Sequence, residues 1–159
     1  SEDGEDDIVT IHLEADGKNK EFISLNIPNK NCPLAEPHLN PENLHIQMAG
    51  KDVYKYVMQK IPSVIEKTLA EANMTIDDID YFVPHQANLR MIETLTTRIK
   101  ISPEKVLHNI EKYGNMSATS IPCVISEKVK SGELKKPSTV LLSAFGAGMT
   151  AAGAIIKIR

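Results

Sequence analysis

Between Tyr81 and Arg90 the chain reads Tyr-Phe-Val-Pro-His-Gln-Ala-Asn-Leu-Arg, and its apolar period changes inside that stretch. Tyr81, Phe82 and Val83 favour an extended, packed strand. Pro84 has no N–H to give to a ladder, so it closes the strand. From Ala87 the period becomes helical, with Leu89, Ile92 and Leu95 at helical spacing and Met91 alongside. The stretch therefore predicts a strand, a polar corner and a helix, with His85 at the carboxyl end of the strand. In an open α/β sheet, ligands meet the protein at such ends. A lone histidine is more simply a hydrogen-bonded core or surface residue, so His85 needs support from elsewhere in the chain.

The sequence has 159 residues, enough for one domain with a core. Trp is absent and aromatic residues make up 4%, so aliphatic side chains must fill that core. No apolar run is long enough to span a bilayer, and no basic-then-apolar segment opens the chain. Cys32 and Cys123 form neither a disulfide framework nor a metal-ligand cluster. A reducing, cytoplasmic setting is expected, with a plastid-type compartment left open. Glu2, Asp3, Glu5, Asp6, Asp7, Glu14 and Asp16 crowd the start, against a net charge of -3, so the rest is mildly basic. That is too weak to argue for nucleic acid, but it permits a basic patch for an acidic partner.

Taken in order, residues 1–7 are an acidic, mobile start. Ile8 to Leu13 alternates, Asp16-Gly17 signals a turn, and Glu21 to Ile27 alternates again, which predicts a β-hairpin with a long tip. Residues 28–47 carry Pro28, Pro33, Pro37 and Pro41 and read as a long ordered loop or irregular excursion. After Gly50, Val53, Tyr54, Val57, Met58, Ile61, Ile65 and Leu69 predict a long helix, which Pro62 should kink or split. A second helix is expected from Ala87 to Lys100, a strand from Val106 to Ile110, and a third helix from Ser117 to Lys130 with a small-residue face for close packing. Ser138–Phe145 is a nearly continuous apolar strand, as expected of one buried on both faces. Thr150–Ile158 is the last strand. The chain order is ββ-α-βα-βα-ββ, and the expected fold is α/β with a mixed sheet of five of these six strands and helices on both faces.

Two polar sites follow strand ends, His85 and Asn115. A neutral imidazole and a carboxamide can each present an N–H donor. Two such donors converging in a dry pocket can hold a carbonyl oxygen as negative charge develops on it. Read alone, Asn115 is more simply a turn residue or helix N-cap. Gly146-Ala147-Gly148 is either a plain turn between strands or a place where backbone N–H groups approach a ligand.

His85-Gln-Ala-Asn-Leu-Arg90, Gly114-Asn-Met-Ser-Ala118 and Ala144-Phe-Gly-Ala-Gly148, in this order and spacing, resemble the carboxyl-terminal half of the β-ketoacyl-(acyl carrier protein) synthase III family. These are thiolase-like condensing enzymes, and the likeness runs from the first strands to Arg159. The resemblance implies a thiolase-like half-domain over residues 1–159, with the nucleophile's amino-terminal domain outside this sequence. It implies a Cys–His–Asn site that condenses an acyl-CoA starter with malonyl-carrier protein, losing carbon dioxide, to initiate fatty acid synthesis. His85 and Asn115 match the pair that holds the malonyl thioester oxygen, and Asn88 a residue that braces it. Gly146, Ala147 and Gly148 match the turn whose backbone N–H completes a second oxyanion hole, Ala147 standing where the family usually has glycine. Lys55, Arg90 and Arg98 match a basic patch for the acidic carrier protein. No metal or other cofactor is implied. The implied partners are acyl carrier protein, the missing half and a second copy in a homodimer, with no nucleic acid or membrane.

Cys32 and Cys123 have no matched base, so neither replaces the family's nucleophile. Three readings stay open: half of a condensing enzyme that is inert alone, a non-catalytic partner subunit or interaction module, and a related acyltransferase or polyketide synthase. The face Ile121, Val124 and Ile125 is expected to lie exposed without the other half, and to drive self-association of the isolated chain.

Overall fold

The computed structural model describes residues 7–25 and 46–159. The acidic start up to residue 6, the end of the expected second strand, nearly all of the Pro-rich stretch and Cys32 lie outside the described residues. In chain order the elements are β1 (Ile8–Ala15), β2 (Ile23–Leu25), β3 (Ile46–Met48), α1 (Gly50–Glu71), β4 (Tyr81–Pro84), α2 (Leu89–Ile99), α3 (Ile110–Tyr113), α4 (Ser120–Ser131), β5 (Ser138–Gly146) and β6 (Thr150–Ile158). Four strands form the main sheet in the order β1-β6-β5-β4, and β2 and β3 form a separate two-stranded ribbon. β4 runs parallel to β5, while β6 is antiparallel to both β5 and β1.

Among the described residues the main sheet thus has four strands rather than five. Val106–Ile110 does not form a strand. Val106 makes a single parallel bridge to Phe82, and Leu107 N–H donates to the Phe82 carbonyl at 2.9 Å. A 3₁₀ turn at Pro103–Lys105 and the start of α3 at Ile110 leave that segment no length to extend. Among the described residues the expected hairpin is also absent. β1 pairs with β6, and β2 pairs with β3. Asp16 and Met149 exchange backbone hydrogen bonds at 2.7 and 2.9 Å, which draws the end of β1 to the β5–β6 turn. The segment from Gly17 to Phe22 then coils into 3₁₀ turns instead of folding straight back.

Two apolar layers cover the sheet. Phe82 and Val83 point to opposite faces, as do Val140 and Leu141, because side chains alternate along a strand. Phe82, Leu141 and Ile155 pack with Val57, Ile61, Val64 and Ile65 of α1 and with Met91 and Leu95 of α2. Val83 and Val140 pack with Val124 of α4, Leu107 and Leu134. This explains the unbroken apolar run of β5. Gly153 of β6 lies under α1, where an added Cβ would collide with the Thr68 hydroxyl.

The α4 face differs from its sequence expectation. Val124 is fully buried, and Ile121 and Ile125 are partly buried against the same cluster. α4 covers its side of the sheet through Val124, so this face is largely covered rather than left open, with Ile121 at its edge still reaching an open cleft. Among the described residues the most exposed large apolar side chains are on β1 and β3. Ile11 and Leu13 are 53% and 73% exposed, and Ile46 and Met48 75% and 64%. β1 turns its polar residues to α1 instead. The Glu14 carboxylate accepts hydrogen bonds from Lys60 and Lys67, which hold its pKa at about 2, and lies 3.0 Å from His12 Nε2. His12 Nδ1 lies 2.7 Å from Glu71 Oε1.

Pro62 does not split α1, which runs unbroken from Gly50 to Glu71. Proline at 62 removes the N–H that would reach the carbonyl of Met58, one helical turn back. That carbonyl accepts a hydrogen bond from Arg98 Nη1 at 3.0 Å. The Tyr54 and Thr94 hydroxyls meet at 3.1 Å one turn earlier in both helices, so α1 and α2 lie side by side in the same direction. Arg98→Leu is expected to cost roughly 1–3 kcal/mol, the range for a hydrogen bond to a charged group or an orphaned carbonyl. In the Pro62→Ala background the helix supplies its own N–H, so the penalty should shrink. Urea unfolding of the double-mutant cycle measures the coupling.

Candidate functional site

The parallel pairing of β4 and β5 sets the site. Pro84 stands opposite Ser143, and the next residue, His85, donates its backbone N–H to the Ser143 carbonyl at 2.7 Å. Both strands therefore end at one edge of the sheet, where His85 meets Phe145 and the turn that follows. The two rings lie edge to face, centroids 5.3 Å apart and planes at 80°. His85 is half-buried, and burial lowers its pKa from 6.5. The ring is thus neutral at pH 7 and keeps one N–H donor.

The helix after His85 begins as its sequence predicts, two residues later than Ala87. The Asn88 side-chain oxygen accepts the Arg90 N–H at 3.0 Å and caps α2. Asn88 also lines the cleft beside His85.

Asn115 comes from a different direction. The short α3 stops at Gly114, which has φ 65° and donates its N–H to the Ile110 carbonyl at 2.8 Å. Glycine takes that positive φ without strain. Asn115 Oδ1 accepts the Ser117 N–H at 2.9 Å, so the turn role is real. Its Nδ2 has no partner among the described residues, which leaves the amide N–H groups free to donate. The turn reading and the donor reading use opposite ends of one carboxamide.

His85, Asn88, Asn115, Gly146 and Ala147 line one open cleft of about 1780 Å³. It exceeds the roughly 300–1,000 Å³ of a pocket that encloses a small ligand. Part of its wall is the uncovered apolar surface, with Leu13, Ile46 and Met48. Ala147 is not among the residues of positive φ, so its Cβ is tolerated there without left-handed strain. Gly148, at φ 131°, is the turn position that needs glycine, and it does not line the cleft.

The three cations separate. Arg90 is exposed and lines the cleft. Arg98 spends a guanidinium N–H on Met58, and Lys55 sits 4.0 Å from Asp52. Arg98 thus crosses the α1–α2 seam, Lys55 is exposed on α1, and neither lines the cleft. Cys123 is a half-buried free thiol on α4 that faces Asn109 at 3.7 Å rather than the cleft. No group of three or more His, Cys, Asp or Glu among the described residues is arranged to hold a metal ion.

Two residues of the site are not marked out by residue type. Phe145 reads as an ordinary apolar strand residue. Its place becomes visible only when Ser143 is known to pair beside His85. Gln86 sits in a polar corner yet is fully buried, with its Nε2 donating to the Pro84 carbonyl at 2.7 Å.

A ring nitrogen titration by NMR should separate the histidines. His85 is expected to titrate below 6.5, because burial disfavours the cation. His12 should titrate above it, because Glu14 and then Glu71 favour the cation. The signs of the linked stabilities are opposite. The His85 contribution is present above pH 6.5 and lost as pH falls through its lowered value. The His12 contribution is present below pH 6.5 and lost as pH rises through its raised value.

Comparison with known proteins gives concordant results. A family model described as 3-oxoacyl-[acyl-carrier-protein (ACP)] synthase III C terminal matches residues 69–158. Beta-ketoacyl-[acyl-carrier-protein] synthase III of Microcystis aeruginosa is 39% identical over 98% of this chain and 47% of its own length. The protein of the same name from Clostridioides difficile is 41% identical over 94% of this chain and 46% of its own. The solved structure of the synthase III from Thermus thermophilus superposes with a TM-score of 0.82 at 31% identity, over 96% of this chain and 46% of that one. The chain spans about half the length of the relatives it matches.

Proposed function

Since this chain belongs to the 3-oxoacyl-[acyl-carrier-protein] synthase III family, matching the model of its C-terminal region over residues 69–158, we propose that it supplies the decarboxylating half of a condensing site. The proposed domain is residues 1–159, completed by an amino-terminal domain that carries the cysteine nucleophile. The observation that carries the reading is the pairing of two neutral donors at one cleft. His85 is kept uncharged by burial, and Asn115 has its oxygen occupied and its amide free.

In this reading the acyl group of acyl-CoA rests on the cysteine as a thioester. The malonyl thioester of the carrier protein enters with its carbonyl oxygen against the N–H groups of His85 and Asn115. The bond from the methylene carbon to the carboxylate breaks, carbon dioxide leaves, and the electron pair becomes an enolate. Both donors strengthen as charge reaches that oxygen, which is where catalysis gains. The enolate carbon attacks the acyl thioester, the Ala147 N–H receives the second oxyanion, and the thiolate departs. Asn88 braces the pair from the start of α2, and Gly146 and Gly148 shape the turn. No metal or other cofactor enters this chemistry.

The uncovered surface of Ile11, Leu13, Ile46 and Met48 supports a covering domain, because an apolar face of this kind marks an interface. Arg90 at the cleft supports docking of the acidic carrier protein, with Lys55 on α1 and Arg98 on α2 outside the cleft lining. A cytoplasmic homodimer belongs to the same reading through the family resemblance. The geometry does not favour a non-catalytic interaction module, which would leave the paired neutral donors without a task.

In the full-length protein, His85→Ala and Asn115→Ala are each expected to slow condensation by about 10²–10³-fold, the usual cost of one oxyanion donor. Formation of the acyl-cysteine should be largely spared. Rapid-quench measurement of the two steps decides it, and equal loss in both would contradict the assigned roles. Arg90→Glu should raise KM for malonyl-carrier protein, most at low salt, since screening weakens such steering. A small malonyl thioester should be used equally well by both proteins.

A further inference from the structure

Oxyanion donors must be held to within about 0.5 Å of the productive geometry. His85 and Asn115 stand on separate loops. His85 is tied by its backbone to β5. Asn115 hangs from α3, a helix of four residues, too short to be stable by its own hydrogen bonds.

What holds α3 is a run of buried and charge-assisted hydrogen bonds on the side away from the cleft. Gln86, fully buried, accepts the backbone N–H of Asn109 at its Oε1, 3.1 Å away, while its Nε2 is spent on Pro84. The Asn109 carbonyl receives the N–H groups of Lys112 and Tyr113 and so opens α3. The Asn109 side chain, 6% exposed, donates from Nδ2 to Glu127 Oε2 at 2.7 Å. Two more donors of α3 reach the other oxygen of that carboxylate, Lys112 Nζ at 2.8 Å and the Tyr113 hydroxyl at 3.4 Å. Hydrogen bonds to a charged group are roughly twice as strong as neutral ones. Asn109 keeps these bonds although its own Oδ1 is buried without a partner, a cost that packing alone would not justify. Gln86, Asn109 and Glu127 do not line the cleft.

We propose that Gln86, Asn109 and Glu127 are positioning residues that join the His85 corner to α3 and α4 and so set the spacing of the His85 and Asn115 donors. The proposal rests on the reading of those two residues as the oxyanion pair. The chain works through covalent geometry: Gln86 is the residue after His85, and Asn115 is the second after α3 ends.

The test uses the full-length protein with four variants: Gln86→Met, Glu127→Ala, Glu127→Gln and, as the reference for the site itself, His85→Ala. The measurements are acyl-cysteine formation, kcat and KM for condensation with malonyl-carrier protein, and melting temperature. Gln86→Met and Glu127→Ala are expected to lower kcat on the order of 10–100-fold, as loss of a supporting partner does. KM and acyl loading should change little. Glu127→Gln, whose amide oxygen still accepts from Asn109, should recover most of the rate. Should Gln86→Met fail to fold, Glu127→Ala on the half-buried side of α4 decides alone. The proposal is overturned by wild-type kcat in Glu127→Ala, by equal loss of loading and condensation, or by Glu127→Gln behaving no better than Glu127→Ala. If His85→Ala cripples condensation while Glu127→Ala does not, the positioning chain falls and the oxyanion reading stands. If His85→Ala condenses normally, the oxyanion reading falls and takes the chain with it.

Discussion

The parallel pairing of β4 with β5 is the constraint on which the site depends. Parallel strands end on the same side of a sheet. His85 after β4 and Phe145-Gly146-Ala147 at the end of β5 therefore meet without any further device. The His85 N–H continues that ladder one residue beyond Pro84. The imidazole is thus fixed by backbone geometry and then desolvated against the Phe145 ring. Its neutrality follows from this arrangement, since no charged partner contributes to the lowering of its pKa.

Burial is divided unequally over the two faces. α1 and α2 cover one face with a continuous aliphatic layer, whose fully buried members each contribute about 1.5–3 kcal/mol of transfer free energy. The other face has α4 over β4 and β5 and little over β1. β1 is held to α1 by Glu14, His12, Lys60 and Lys67 rather than by its apolar residues. An alternating strand normally turns its apolar side to its own core. Here that side is turned out, with Leu13 in the wall of the cleft, where a covering domain is proposed. The reversal shows that the alternation of Ile8–Leu13 marks a strand but not which neighbour its apolar side serves.

Local readings succeeded where short-range physics decides. The change of period at Pro84 placed β4, the corner and α2. Ser138–Phe145 and Thr150–Ile158 ran as their patterns said. They failed where a distant group supplied what the local sequence lacked. Pro62 should interrupt a helix, and does not, because Arg98 satisfies the carbonyl that the proline orphans. Arg98 itself resembles a docking cation, and the same hydrogen bond gives it a structural task. Val106–Ile110 has a strand's composition, but Pro103 and α3 crowd it to a single bridge. Strand partners were the least legible. Alternation specifies a face, and the Asp16–Met149 backbone pair, far apart in sequence, decided that β1 joins β6.

By itself the sequence determined the elements around His85, the aliphatic core and the three polar motifs with their order. These depend on period, proline and glycine chemistry within a few residues, which neighbours in the chain settle. Only the tertiary structure decided that His85 and Asn115 open on one cleft, that Asn115 has its oxygen occupied and its amide free, and that burial keeps the His85 ring neutral. Those facts depend on strand pairing and on packing between segments far apart in the sequence. Gln86 and Glu127 belong with them. A buried amide and a half-exposed carboxylate have no local signature, and their roles arise only when Asn109 is brought between them.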